Sequence, residues 1–418
     1  MLFFILACQG EHLRSTDTQA ESDTAQEVFD TADVIDTSEA SDTADTIDSS
    51  EPAMYLLSVD NGYGEGLYEA GEIVHVFADF MPGNEVVTHW SGDLDLSPEW
   101  HHQFTMPTND VTLEAHVETT NYTLTEIQYP GVQGDIRLLY AVPSNPVGVL
   151  FLFHGTTGSA DVAYATPFQN IAATAYRQGL AIVSTDAHER TTNDAGNDGK
   201  IRWNVAPNLS VNIDLQNIQK ISQDISTLTS VPSDGVRLGV GISNGGAFAI
   251  TAGGILSFTA VTSLCATGRE DVYTQTQTPT QWLMCENDTN ETVSSKRDEW
   301  ENGTNSLMSR GVRTDYGVFS ASPLYNERFT RFGATISESQ AIIEELKTNQ
   351  ALDEHGFLHI TPKSIQNDIL DNPDRWPIFL AFVDQYGYKN ILGELKQAYA
   401  DHGAFDDWTH RMIDFWKE

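Results

Sequence analysis

The rhythm of apolar and polar positions changes several times along the chain. From Glu27 to Glu51 every third residue is acidic, with Thr, Ser and Ala filling most of the gaps. That period belongs to neither a helix nor a strand, so the stretch has no face to bury. Like charges hold such a segment extended, and residues 9–53 read as a disordered acidic linker. From Met54 to about Thr119 short alternating apolar runs take over. Tyr55–Val59, Glu72–Ala78 and Asp110–Val117 read as strands, with Asp60-Asn61-Gly62 as a turn. Beyond Tyr122 the order becomes strand, helix, strand. Continuous apolar runs at Gly148–Phe153, Leu180–Ser184, Val236–Gly241, Ala260–Leu264, Gln281–Cys285 and Arg313–Val318 suit strands covered on both faces. Helical stretches at Phe168–Gln178 and Ile213–Leu228 lie between them. The fold class is therefore α/β with a mostly parallel sheet over residues 121–418, preceded by a small all-β domain at 54–120.

The run Gly239-Val240-Gly241-Ile242-Ser243-Asn244-Gly245-Gly246-Ala247 contains G-x-S-x-G between an apolar strand and an Ala-rich helical stretch. A serine hydroxyl becomes a useful nucleophile when a tight turn holds it exposed. Small flanking residues let the backbones approach, and the following helix aims its N–H groups at a developing oxyanion. A second apolar strand ends in Phe153-His154-Gly155-Thr156-Thr157-Gly158. Together these motifs resemble the nucleophile elbow and the His-Gly oxyanion loop of the α/β-hydrolase superfamily, in its esterase and lipase-like branch. The resemblance spans roughly Tyr122 to Glu418. It implies Ser243 as nucleophile, the N–H groups of Asn244 and Thr156 as oxyanion donors, and His154 as a residue that shapes its loop. It places the acid after the seventh strand, where Trp282-Leu283-Met284-Cys285-Glu286-Asn287-Asp288 points to Asp288; Glu270 and Asp271 are the competing acids. The base falls among His355, His359, His402 and His410. His402 lies in Tyr399-Ala400-Asp401-His402-Gly403, before the closing segment Asp406–Lys417, where the family carries its histidine. His410 lies within that closing helix. His355-Gly356-Phe357 competes, because the same residue types flank the catalytic histidine of dienelactone-hydrolase-like members.

The separation of Asp288 from His402 far exceeds one helix and one strand. The excess carries helix signals of its own: Ser337 with Gln340 as a capping box, Thr361-Pro362 as a start, and Phe379–Tyr399. Residues 322–395 are expected to be an inserted helical cap, covering the nucleophile and shaping an acyl pocket. Cys265 and Cys285 end strands expected to be neighbours, and buried reduced thiols are the expected state.

Charge narrows the function classes. The 418 residues carry 22 Lys plus Arg against 60 Asp plus Glu, a formal net charge of −38. Nucleic-acid binding needs a basic face, so that partner is excluded, and an anionic membrane surface repels the chain unless a lipid holds it. No apolar run reaches the roughly 18 residues of a membrane span. The opening Met1-Leu2-Phe3-Phe4-Ile5-Leu6-Ala7-Cys8 resembles the lipobox of bacterial lipoproteins, which implies an anchor at residues 1–8 with Cys8 lipidated. The cues Tyr68-Glu69-Ala70-Gly71, Trp90-Ser91-Gly92-Asp93 and Phe104-Thr105-Met106-Pro107 resemble a divergent internalin-type bacterial repeat, a surface stalk or adhesive unit in that family. The sequence is thus expected to encode an exported bacterial serine hydrolase of the cell envelope, lipid-anchored or secreted. It would act on small-molecule or polymeric esters, without metal or organic cofactor. A peptidase of the same fold and an inactive surface-binding protein are the alternatives.

Overall fold

Alternating buried and exposed positions put residues 54–119 into seven strands of a computed structural model of the chain. They are β1 Met54–Asp60, β2 Gly62–Tyr63, β3 Gly66–Glu69, β4 Ile73–Ala78, β5 Glu85–Gly92, β6 His101–Thr105 and β7 Val111–Thr119. The structure describes residues 52–418 apart from 195, 291, 292 and 294–296. The expected anchor with Cys8, and the acidic linker up to residue 51, lie outside the described residues. The seven strands make two small sheets, ordered β3-β1-β7-β5 and β2-β4-β6. Between the sheets Leu57, Val76, Val111, Leu113 and Trp100 are buried.

The chain then builds one eight-stranded sheet from β8 Thr125–Gly131, β9 Gly134–Ala141, β10 Gly148–Phe153, β11 Leu180–Thr185, β12 Val236–Ile242, β13 Ala260–Leu264, β14 Thr280–Cys285 and β15 Thr314–Phe319. Its order is β15-β14-β13-β12-β10-β11-β9-β8. The six strands from β10 onward pair in parallel, and β8 and β9 add an antiparallel edge. Every residue of β10, β11, β13 and β14 is buried, as their unbroken apolar runs require. Helices Ile213–Leu228, Asn244–Leu256 and Arg297–Ser309 pack on one face through Leu215, Ile218, Phe248, Trp300 and Leu307. Helices Thr166–Arg177 and Thr409–Lys417 pack on the other through Phe168, Ile171, Met412 and Trp416. The crossover from β10 leads to β11 on one side, and the crossover from β11 returns past β10 to β12 on the other. That reversal opens a crevice at the carboxyl ends of the strands, where α/β sheets place their ligands.

The insertion between β15 and His402 is helical, with its own core around Phe329, Ile342, Leu346, Trp376, Phe379 and Leu395. Three expectations for it are corrected. The capping box uses Thr335 and Glu338, not Ser337 and Gln340: Thr335 is extended and its N–H donates to Glu338 Oε2 at 2.8 Å, whereas Ser337 already lies inside the helix Ile336–Thr348. The stretch Phe379–Tyr399 is two helices, Pro377–Tyr386 and Tyr388–Tyr399, broken at Gly387, whose φ of +84° suits glycine. Finally, no residue of 322–395 lines the cavity that holds Ser243. The insertion packs instead on the seven-stranded unit, where Tyr325 stacks on Phe77 with ring centroids 4.2 Å apart. Phe357 and the guanidinium groups of Arg328 and Arg331 add contacts there, with His75 and Trp100.

A buried charge network joins these parts. Arg328 and Arg331, both fully buried, donate to Glu394 at 2.5 and 3.1 Å, and Arg331 also donates to Asp406 at 2.5 Å. The Arg331 guanidinium lies 3.9 Å from the centre of the Trp100 ring. Asp406 accepts from Asn170 at 2.8 Å, and neighbouring Asp407 meets His101 Nδ1 at 2.6 Å. Removing one partner of a buried ion pair leaves an uncompensated charge. Arg331→Met should therefore lower the unfolding free energy by about 3–5 kcal/mol, read from urea denaturation. A loss below about 1 kcal/mol, the scale of an exposed pair, would mean that the network is not a stabilising centre.

Candidate active site

Ser243 sits at the end of β12, between the strand and the helix Asn244–Leu256, with φ +56° and ψ −123°. That backbone is strained for a side-chain-bearing residue and persists only where neighbours enforce it. Here they do. A Cβ on Gly241 would lie 2.3 Å from Gly245 O, and one on Gly245 would lie 2.3 Å from Phe153 O. Both glycines of the motif thus allow backbone-to-backbone approach, which is the turn's steric requirement. Ser243 N–H donates to Leu264 O at 2.9 Å, which fixes the turn against β13. Asn244 opens the helix, so its N–H has no intrahelical acceptor. Its side chain clasps another loop: Oδ1 accepts from Trp203 N at 2.7 Å and Nδ2 donates to Trp203 O at 3.2 Å.

The loop after β10 carries His154 and Thr156. His154 is buried; its Nδ1 lies 2.8 Å from Gly155 O and its Nε2 accepts from Ala187 N–H at 3.2 Å. Those partners require a neutral ring protonated at Nδ1. Burial pushes its pKa down to about 4, against a smaller opposite effect of the Gly155 hydrogen bond. His154 is therefore a structural element of the loop, held away from proton transfer. Thr157, with φ +63°, donates its N–H to Ile201 O at 2.8 Å, which bends the loop past Thr156.

Asp288 and His402 meet across two interlocked turns. His402 Nδ1 lies 2.9 Å from Asp288 Oδ2, and the other oxygen of Asp288 accepts from Asn290 N–H at 2.8 Å. Asn287 N–H donates to Ala400 O at 3.0 Å and its side chain to Tyr399 O at 2.8 Å. Asp401 accepts from Thr289 N–H at 3.0 Å and from His402 N–H at 2.7 Å. Ala400 takes the left-handed conformation, φ +56°, which turns the chain out of the helix and brings His402 over Asp288. The Asp288 side chain is 2% exposed and the imidazole 16%, so the pair is shielded from competing water.

A cavity of about 650 Å³ opens over these groups, lined among others by Thr156, Ser243, Asn244 and His402. Four of the five residues expected from the sequence therefore share one cavity, with Asp288 directly behind the imidazole. Ser243 Oγ itself makes no hydrogen bond among the described residues; such contacts commonly tighten only with substrate. The competitors lie elsewhere. His355 is 74% exposed beside Glu354 and lines a different cavity. His359 reaches Gln350 O, His410 reaches Val87 O, and Asp271 is tied to Arg269 at 2.7 Å. Glu270 begins the short helix Glu270–Tyr273. Sequence reasoning missed Lys200 and Arg202, which line the cavity on the loop that Asn244 clasps. No spacing along the chain ties that loop to the elbow. Cys265, Asp288 and His402 each bring a donor atom within 4.8 Å of the others, close enough to share a metal ion. The carboxylate is already committed to the imidazole.

No protein-family model matches the chain, and no curated protein matches it in sequence. Among solved structures it is similar to a dienelactone hydrolase from Anabaena variabilis, at 16% identity over 47% of this chain and 87% of that one, with a TM-score of 0.36. An esterase from Pyrobaculum calidifontis shares 15% identity over 55% and 86%, with a TM-score of 0.34. Carboxyl esterase 2 of Tuber melanosporum shares 13% over 47% and 76%, with a TM-score of 0.33. Likeness at this level assigns no chemistry to the residues above, which stand on their own geometry.

The buried histidines generate a pH dependence. His154, and likewise His75 and His102, have pKa values pushed down by burial to about 4. The unfolded chain takes up their protons near pH 6.5, while the folded chain resists until about pH 4. Stability is then complete above pH 6.5 and declines as pH falls toward 4. His154→Gln should reduce the slope of unfolding free energy against pH in that window by up to one proton, or about 1.4 kcal/mol per pH unit. An unchanged slope would mean that His154 is charged in the folded protein.

Proposed function

We propose that this chain is a serine hydrolase of carboxylic esters that works through an acyl-enzyme intermediate. The observation that carries the reading is the 2.9 Å contact of His402 Nδ1 with Asp288, the imidazole sharing a cavity with the strained Ser243. Asp288 holds the imidazole with its Nδ1 proton inward, leaving Nε2 free to accept the Ser243 hydroxyl proton. Ser243 Oγ then attacks the ester carbonyl, and the oxyanion accepts hydrogen bonds from the N–H groups of Asn244 and Thr156. The imidazolium returns its proton to the departing alcohol. Water, activated by the same imidazole, releases the acid and restores the serine. Every group named lies in this chain.

A triad acts as a unit, so Ser243→Ala and His402→Ala should each lower kcat on a short acyl ester by about 10^4- to 10^6-fold. Asp288→Asn should retain more activity, since the ring keeps a hydrogen-bond partner but its positive charge loses compensation. His355→Ala should stay within about tenfold of the parent, the scale of local packing damage. A panel of nitrophenyl acyl esters and aminoacyl anilides separates an esterase from a peptidase by the faster class. A parent protein that turns over neither, and whose Ser243 ignores a fluorophosphonate, would leave a binding protein in place of an enzyme.

A further inference from the structure

Behind the catalytic base lie two thiols that the proposed chemistry does not use. Cys265 follows β13 and Cys285 ends β14, and their sulfurs are 3.0 Å apart. Both are free and buried. Neighbouring parallel strands seldom bring two side chains so close. Here Cys265 has left its strand in the left-handed conformation, φ +49°, with its N–H still bonded to Leu283 O at 2.9 Å. That bend turns its side chain along the sheet toward Cys285. The Sγ atoms of Cys265 and Cys285 also lie 3.5 and 3.8 Å from Gly403 O, the carbonyl next to the base. Cys265 borders the Ser243 cavity, and its sulfur, a donor atom of His402 and one of Asp288 lie within 4.8 Å of one another.

We propose that Cys265 and Cys285 are an oxidisable pair whose disulfide, formed by hydrogen peroxide, switches off the hydrolase site. The chemistry balances in two steps. The Cys265 sulfur, its proton passing to His402, attacks one peroxide oxygen; the O–O bond breaks, the leaving hydroxide takes that proton back from His402 as water, and Cys265 becomes a sulfenic acid. The Cys285 sulfur then displaces the second oxygen as water, forming the S–S bond and giving up its own proton. Peroxide is reduced by two electrons, and the two thiols supply them. The order of attack follows from position: Cys265 borders the cavity, whereas Cys285 lies behind it, its thiol pushed well up by burial and by the hydrogen bond to Cys265. Cys265 is buried at the cavity wall, so a small displacement of that wall admits peroxide, whereas a bulky disulfide such as oxidised glutathione is kept out by its size.

The consequence for activity is geometric. A disulfide needs sulfurs about 2.0 Å apart, so bonding draws the two sulfurs about 1 Å closer and pulls on the strand ends that carry them. Asp288 lies three residues beyond Cys285, and Ala266, Thr267 and Gly268 after Cys265 line the cavity. A displacement of that size at a catalytic group can cost up to about 10²-fold in rate.

The activity claim rests on the proposed triad, so the test has one readout independent of it. The full chain carrying Cys8→Ser is treated with hydrogen peroxide or oxidised glutathione, then analysed by intact mass, peptide mapping and ester turnover. Peroxide should remove two hydrogens, join the Cys265 and Cys285 peptides, and lower turnover by at least about tenfold, with recovery in dithiothreitol. Oxidised glutathione should do none of these. Cys285→Ala should keep turnover within about threefold under reducing conditions and give no cross-linked species. Its Cys265 should instead gain oxygen that dithiothreitol does not fully remove. Two free thiols after peroxide, or a disulfide with unchanged turnover, would overturn the proposal. A reduced protein inert to every ester would count against the hydrolase reading, while the loss of two hydrogens would still decide whether the thiols pair.

Discussion

The ion pairs around Arg331 hold together the elements that surround His402. Arg331 joins Glu394 of the helix Tyr388–Tyr399 to Asp406 of the loop that leaves His402. Charges this deeply buried are tolerable only when each has its partner in place, so the contact leaves little freedom to either element. Trp100 of the seven-stranded unit lies against the same guanidinium, and His101 beside it binds Asp407. Burial alone would raise the Asp407 carboxyl, yet the His101 hydrogen bond and the nearby positive charges hold it below the usual range. Glu99, on the same stretch, accepts the N–H groups of His410 and Arg411 at 3.0 and 2.8 Å and so closes the start of the last helix. Residues 54–119 are therefore part of the scaffold of the His402 loop.

The site itself depends on a different constraint, the crowding of strand ends. The elbow is possible because Gly241 and Gly245 let β12, β10 and the following helix meet without side chains. Asp288 and His402 come together because Asn287, Thr289, Asp401 and Ala400 stitch two turns by main-chain and short side-chain hydrogen bonds. No long flexible side chain is asked to hold the catalytic geometry. The two thiols are close for the same reason: β13 and β14 end side by side.

Sequence reading reached the six parallel strands of the large sheet almost residue by residue, because strands buried on both faces announce themselves as unbroken apolar runs, but it did not mark the antiparallel β8 and β9. Gly148–Phe153 and Ala260–Leu264 have the expected limits, and the helix Ile213–Leu228 likewise. It was weaker where local signals repeat. Ser337 and Gln340 satisfy the capping pattern as well as Thr335 and Glu338 do, and only the backbone angles distinguish them. The break at Gly387 is one residue in an otherwise helical stretch, and an isolated glycine does not by itself end a helix.

Candidate chemistry divides in the same way. Ser243, Asn244 and Thr156 are set by local motifs, since the two turns that present them are each built from adjacent residues. Asp288 and His402 could only be ranked among rivals, because their pairing is a contact between turns far apart in the chain. Where the helical insertion would lie was beyond sequence altogether. Periodicity says that its helices bury an apolar face among themselves; whether the insertion then sits over Ser243 or against Phe77 and Trp100 depends on which surface offers matching aromatic rings and buried charge. That complementarity exists only after both surfaces have folded.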